Sequence, residues 1–311
     1  MDVSERTLSS LGFDDIRAAL SARCRTEVGK ERALARPFLA SRDEVLSALA
    51  LAGEARALKS EPITLPVTGV ADIRTWIDRA AKGGLLEPLQ LRSVTQSLFS
   101  FERTHELLAE RAERYPGLAR LGARLPVLTR LATRLDRAIE ESGEISDRAS
   151  GELREARDRA RGLHRRIRGR LDELLHDAKF TESLREGYYS VRNDRYVVPV
   201  KSSHQREVNG IVHNASQSGQ TLFVEPTELI GLGNELAIAQ SVVLEEERKV
   251  LLDLSELVGR EAGRLLEGVF HVKQRLARKA NVMKLNIEID CTPAEARAFL
   301  GLPDVTPLND H

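Results

Sequence analysis

Two stretches of this chain repeat apolar residues at alternating spacings of three and four, and a short β-rich island lies between them. The first holds Leu153, Ala156, Ala160, Leu163, Ile167 and Leu174, with Leu171 beside the stripe. The second holds Leu229, Leu232, Leu236, Ala239, Val243, Val250 and Leu257. A seam of this kind is a helix that must bury one side against another helix. The stretch from about 127 to 186 has no proline, so it predicts one long arm; about 227 to 280 predicts its antiparallel partner. At about 1.5 Å rise per residue, arms of this length reach on the order of 70 Å, with the island at their tip. Gly143, Gly151, Gly162 and Gly169 weaken the first arm by about 1 kcal/mol each relative to alanine, so a bend or break is expected near Gly143.

The island, Tyr188 to Pro226, carries four Arg and Lys, two His and three of the four tyrosines. Tyr196 to Val200 reads as a strand, and Pro199, which lacks an amide hydrogen, should demote it to an edge or a bulge. Val208 to His213, interrupted by Asn209-Gly210, reads as a second strand, and Thr221 to Glu225 as a third. Ser216 to Gln220 is the polar loop before it.

Residues 7 to 126 read as short helices separated by turns. Ile16, Leu20 and Cys24 mark one face of a helix that Arg36-Pro37 ends, and Ser41 caps the next. Glu61 to Pro66 is an extended connector, because its two prolines exclude a helix. Ile73, Trp76 and Ile77 restart helical spacing, Gly83-Gly84 breaks it, Leu85 to Arg114 resumes it, and Tyr115-Pro116-Gly117 is a turn. At 311 residues the chain is long enough for two domains. Aromatic residues make up 4%, which suits a mainly helical protein better than a compact β domain. The 47 basic and 47 acidic residues cancel, so a nucleic-acid surface must come from local clustering. Cys24 and Cys291 form neither a CxxC pair nor a disulfide framework, so a cytoplasmic setting is expected. No apolar run approaches the roughly 20 residues of a membrane span.

The island and its flanks carry a resemblance. VRNDRYVVPVKSSHQREVNGIVHNASQSGQTLFVEP, followed by LIGLGNEL, resembles the second bacterial branch of the MutS family, whose members bear an Smr endonuclease domain after the ATPase. Leu11-Gly12-Phe13-Asp14, Thr26-Glu27-Val28-Gly29-Lys30, Asp72-Ile73-Arg74, Gly83-Gly84 and Gly143-Glu144-Ile145 with Asp147, Ala149 and Ser150 match as well. The likeness runs from about residue 7 to 265. It implies a mainly α fold: a helical core at 1–126, two long antiparallel lever helices at 127–187 and 227–282, and a small β-rich clamp at 188–226. It also implies DNA binding, at branched or double-stranded sites, with suppression of recombination, or the rescue of collided ribosomes through rRNA. A homodimer is implied for full-length members.

Two features depart from that branch. A Walker A loop, G-x-x-x-x-G-K-[ST], is absent from these 311 residues; in the one Gly-Lys pair, Gly29-Lys30, the next residue is Glu31. ATP and Mg²⁺ are therefore expected only for an ATPase domain outside this chain, and neither ATP hydrolysis nor strand cutting carries over to any residue here. From about Met283 the sequence, residues 283–311, instead resembles a small uncharacterised proteobacterial family. It opens with an alternating run, Lys284 to Asp290, and a helix start at Thr292-Pro293. A gene fusion, a frameshift or truncation, or an engineered junction each accounts for the change.

Arg192, Asn193, Arg195, Lys201, His204 and Arg206 cluster within fifteen residues on the island and are the expected phosphate contacts. On the first arm, Arg154, Arg157, Arg159, Arg161, Arg165, Arg166, Arg168 and Arg170 outnumber Glu152, Glu155, Asp158 and Asp172. Arg161, Arg165 and Arg168 are the expected contacts there. The competing reading is a solvated face with pairs such as Glu155–Arg159. Tyr196, alternating with Val198 and Val200, is expected to pack rather than stack on bases. His204 and His213 have no third ligand at metal spacing. Glu225 and Glu228 resemble paired carboxylates, but Glu225-Pro226-Thr227 more simply opens the return helix, with Thr227 as cap. No catalytic residue and no metal site are expected. The rival to a nucleic-acid fragment is a non-catalytic helical interaction module or a degenerate gene product.

Overall fold

A computed structural model describes residues 5–24, 27–39, 41–63, 66 and 71–271. The described residues are mainly helical, with one small antiparallel four-stranded sheet. The tail from Met283 lies outside them.

The first helices are α1 (Glu5–Ser10), α2 (Phe13–Ala22), α3 (Glu27–Leu34) and α4 (Arg42–Lys59). The single helix expected up to Arg36 is thus two. α2 packs on α3 through buried Ser21, whose hydroxyl donates to the Lys30 carbonyl at 3.3 Å. Of the expected face, Cys24 is buried while Ile16 is 40% exposed, because that contact turns the helix away from it. Ser41 stands at the N-cap of α4, but its hydroxyl makes no capping bond.

The next helices are α5 (Arg74–Ala81), α6 (Pro88–Ala109), α7 (Pro116–Gly122) and α8 (Thr129–Ala138). Glu87 and Gln90 form a capping box at the start of α6. Tyr115-Pro116-Gly117, expected as a turn, opens α7 with proline at its first position. A remote carboxylate serves as the cap: the Gly117 and Leu118 amides donate to Glu54 on α4, at 3.0 and 2.8 Å. Ile77, Leu91, Leu98, Phe101 and Leu135 centre the main core, to which the far ends of both arms contribute.

The first arm breaks where the glycines weaken it. After α8 the chain makes a tight reversal, closed by a bridge between Ile139 and Ile145, and Gly143 sits in it at φ +85°. A side chain there would be strained, and its Cβ would lie 2.5 Å from Leu89. Ser150 then caps α9 (Gly151–His176), accepting from the Leu153 amide at 3.0 Å. α10 (Ala178–Ser183) follows. The return arm is α11 (Thr227–Arg260), and α12 (Ala262–His271) restarts after Glu261. With 26 and 34 residues, α9 and α11 are about 39 and 51 Å long rather than 70 Å.

The seam forms as its spacing predicts. Leu153, Ala156, Ala160, Leu163, Ile167 and Leu174 are all buried. Leu171 is fully buried too, so it lies within the stripe rather than beside it. Charge fixes the register across the seam. Arg157 meets Glu247 at 2.6 Å, Arg166 meets Glu235 at 3.6 Å and Arg170 meets Glu228 at 3.9 Å, so one number rises as the other falls and the arms are antiparallel.

The sheet consists of β1 (Ser190–Arg192), β2 (Arg195–Lys201), β3 (Gly210–Ala215) and β4 (Thr221–Pro226), in the order β1-β2-β4-β3. Tyr196, Val198, Val200 and Val224 share a second core with Leu163, Ile167 and Leu171 of α9 and Leu229 and Leu236 of α11. β2 is an interior strand, contrary to the expectation from Pro199. The proline lies past the last β1 partner, where Ser190 faces Val197, and its carbonyl accepts the Arg185 amide at 2.7 Å. The amide nitrogen and carbonyl of one strand residue point the same way, so the missing donor falls in the gap beyond β1. Thr227 does not cap α11 either: Pro226 holds that position, and the Thr227 amide donates to the Asn209 carbonyl.

Candidate nucleic-acid interface

The six island residues that cluster in sequence separate in space. Arg192 and Arg195 are Cα partners at the start of β2, joined by a tight turn in which Asn193 and Asp194 both have positive φ, +48° and +59°. Lys201 ends β2, and His204 and Arg206 lie in and after the 3-10 turn Ser202–His204. The seven residues of β2 put about 20 Å between the two groups.

In the near group, Arg195 is committed to the fold. Glu225, 2% exposed, accepts from Arg195 at 3.4 Å and pairs with His213 Nε2 at 2.7 Å. This links β2, β4 and β3 through one carboxylate. α11 passes against it at Gly233, where a Cβ would lie 2.9 Å from both Arg195 Nη1 and Glu225 Oε1. Arg195 is therefore paired, within the sheet, with a buried carboxylate. Arg192 is exposed, with its guanidinium 4.3 Å over the Phe223 ring.

The far group is freer. Lys201 Nζ donates to the Glu182 carbonyl at 2.9 Å, and His204 Nδ1 lies 2.8 Å from the Ser203 hydroxyl. Arg206 is exposed and makes no ion pair among the described residues. The polar hairpin loop Ser216–Gln220 stands beside this end, its Gln220 carbonyl accepting the Ser202 amide.

On α9, Arg154, Asp158, Arg161, Arg165 and Arg168 recur four and three apart on one face. Arg161 is held by Asp158 at 2.8 Å and Asp147 at 3.1 Å. Arg165 and Arg168 are exposed without an ion pair among the described residues. The pair Glu155–Arg159 does not form; Arg154 reaches Asp158 instead, at 4.0 Å. At the base of the arm, Arg157 binds Asp147 at 2.7 Å, Glu247 at 2.6 Å and the Ile145 carbonyl at 2.7 Å.

That knot has a pH signature. The hydrogen bond from Arg157, then that from Arg161, holds the Asp147 carboxyl below its ordinary range. A depressed carboxylate adds stability that is present above its unfolded value of about 3.9 and is lost as pH falls through the folded one. Asp147→Asn should therefore lower stability at neutral pH and flatten its decline below about pH 4. Paired urea titrations at pH 7 and pH 3 measure this; equal differences at both would refute it.

Tyr196 packs as expected. Its hydroxyl lies 2.8 Å from His164 Nδ1 on α9, and its ring stands 5.9 Å from that of Tyr189. The sequence reading missed His164, and it missed the joint role of His213 and Glu225. Strand register pairs those two, and no spacing rule reveals it. Among the described residues no group of His, Cys, Asp and Glu could hold a metal ion, and no helix is long and apolar enough to cross a membrane.

Comparison with known proteins adds to this geometry. The chain is 48% identical over 263 residues to endonuclease MutS2 of Anaeromyxobacter sp. (strain Fw109-5), covering 85% of this chain and 33% of that protein. It is 35% identical over 297 residues to that of Symbiobacterium thermophilum (94% and 37%) and 33% identical over 308 residues to that of Thermomicrobium roseum (98% and 37%). A family of unknown function, DUF6489, matches residues 283–311. Residues 1–282 are about 91% of the chain, so the latter two alignments enter the segment that this second family also matches. The chain spans about a third of the length of the curated relatives it matches. Along most of its length it belongs with the endonuclease MutS2 proteins, the second bacterial branch of the MutS family, as a segment about a third as long as they are.

Proposed function

We propose that this segment grips nucleic acid by its phosphate backbone, the sheet acting as a clamp and α9 and α11 as the levers that carry it. One observation carries the reading: Arg165, Arg168 and Arg206 are exposed and make no ion pair among the described residues, in a chain where most arm arginines are neutralised. Arg192 and Asn193 at the hairpin, with Lys201 and His204 at the far end, extend the surface. Arg161 and Arg195 drop out of it, because each is already paired. Backbone contacts of this kind position a protein without specifying sequence.

Within full-length relatives, an ATPase using ATP and Mg²⁺ would move these levers and join two copies. The grip by these residues needs no catalytic group of its own, and its setting is cytoplasmic. The MutS2 relatives favour DNA as the target, and an RNA surface such as the ribosome's is the alternative within the same chemistry.

The test is binding of branched DNA and structured RNA, followed by fluorescence anisotropy from low to moderate salt. Alanines at Arg165, Arg168, Arg192 and Arg206 together should abolish binding at about 0.15 M salt. Each lost phosphate contact should reduce the salt slope by about 0.9 on duplex DNA. Arg161→Ala should change little. No binding to either nucleic acid, or binding indifferent to the four alanines, would favour a helical module that docks an acidic protein.

A further inference from the structure

At the hairpin end of the sheet, one cation is held by an aromatic ring rather than by an acid. Tyr196, Val198 and Val200 of β2 point to the helices, so Arg195 and Pro199 point to the other face of the sheet. Their cross-strand partners Arg192 and Phe223 share that face. Arg192 is exposed and makes no ion pair among the described residues, and its guanidinium lies 4.3 Å over the half-buried Phe223 ring. The ring covers one side of the guanidinium plane and holds it in place. The other side stays open, because the residue is exposed.

We propose that Arg192, positioned by Phe223, is a stacking platform for one unpaired nucleobase, so that the sheet takes hold of DNA where a base has left its pair. The inference rests on the nucleic-acid grip above and adds the class of position that the hairpin recognises. A guanidinium is planar and delocalised, and it stacks on the face of a base as an aromatic ring does. Its N–H groups lie in that plane, so its edge can meet the backbone while its flat side meets the base. Held by Phe223, Arg192 loses less side-chain freedom on binding than a mobile arginine would. Asp194, exposed in the same turn and without an ion pair among the described residues, would repel a further phosphate at this spot, whereas a base is uncharged. In a continuous duplex the faces of each base are covered by its neighbours, so only a base out of the stack can reach the platform. Stacking accepts any base, so it marks an unpaired position without reading sequence.

Three DNA probes test this with the full chain, by fluorescence anisotropy at a single low salt concentration. They are a continuous duplex, the same duplex with a short bulge of unpaired thymines, and that bulge with abasic sites in place of the thymines. The last keeps the backbone and the bend but has no base to stack. The thymine bulge should bind about tenfold tighter than the abasic one. Arg192→Lys, which keeps the charge and loses the plane, should bring that ratio close to one. Phe223→Leu should lower it as well, with the circular dichroism unchanged. Duplex binding with equal affinity for the two bulges, or a ratio that survives Arg192→Lys, would overturn the platform and leave the grip standing. Failure to bind any of the three probes would overturn both.

Discussion

Arg195→Ala should lower the stability of the sheet and arms by about 3 kcal/mol, seen as a lower urea midpoint and faster amide exchange in β2 and β4. The carboxylate of Glu225 is almost wholly removed from water; Arg195 pairs with one of its oxygens and His213 Nε2 lies 2.7 Å from the other. Removing one partner of a buried pair leaves a charge that the interior solvates poorly, at a cost of about 3–5 kcal/mol. The low end applies, because Arg195 is 26% exposed and His213 still holds the other oxygen. Nucleic-acid affinity measured where the variant remains folded should change little. Unaltered stability with a large loss of affinity would return Arg195 to the phosphate surface.

Ile167→Ala should cost a comparable amount, about 3 kcal/mol within the range of 2–5 for a buried aliphatic truncation. Ile167 is fully buried in the core shared by α9, α11 and the sheet, between Leu163 and Leu171. Two packed helices and a strand leave little room for collapse into the void, so the lost contacts are not recovered. The adjacent Arg168→Ala should stay within about 0.5 kcal/mol, because that side chain is exposed and unpaired. The pair of variants thus separates the face of α9 that holds the fold from the face proposed to hold nucleic acid. Similar losses at both positions would mean that the arm is not packed as described.

The arms were legible because a three-and-four repeat has one physical solution, a helix with a partner along that side. The break at Gly143 was legible for a related reason, since glycine is weak in a helix and suits the positive φ of a reversal. Pro199 misled because a proline bars a strand only where its missing donor is needed, and β1 is too short to need it there. The N-terminal helices were harder still. The cap of α7, for one, comes from the distant Glu54, and local spacing carries no trace of that.

The candidate site divides along the same line. By itself the sequence determined the mainly helical class, the paired arms, the strands between them and the likeness to the MutS branch. These depend on periodicity, turn chemistry and residue order, all of which are local. Only the tertiary structure decided which cations are free. Arg195 and Arg206 look alike in a basic run, yet one neutralises Glu225 from a neighbouring strand and the other faces water. Arg161 and Arg165 look alike on one helix, yet Asp147 reaches the first from beyond the helix. A charge is available to a ligand only if nothing in the fold has claimed it, and claims made across strand register and helix packing are set by distance in space.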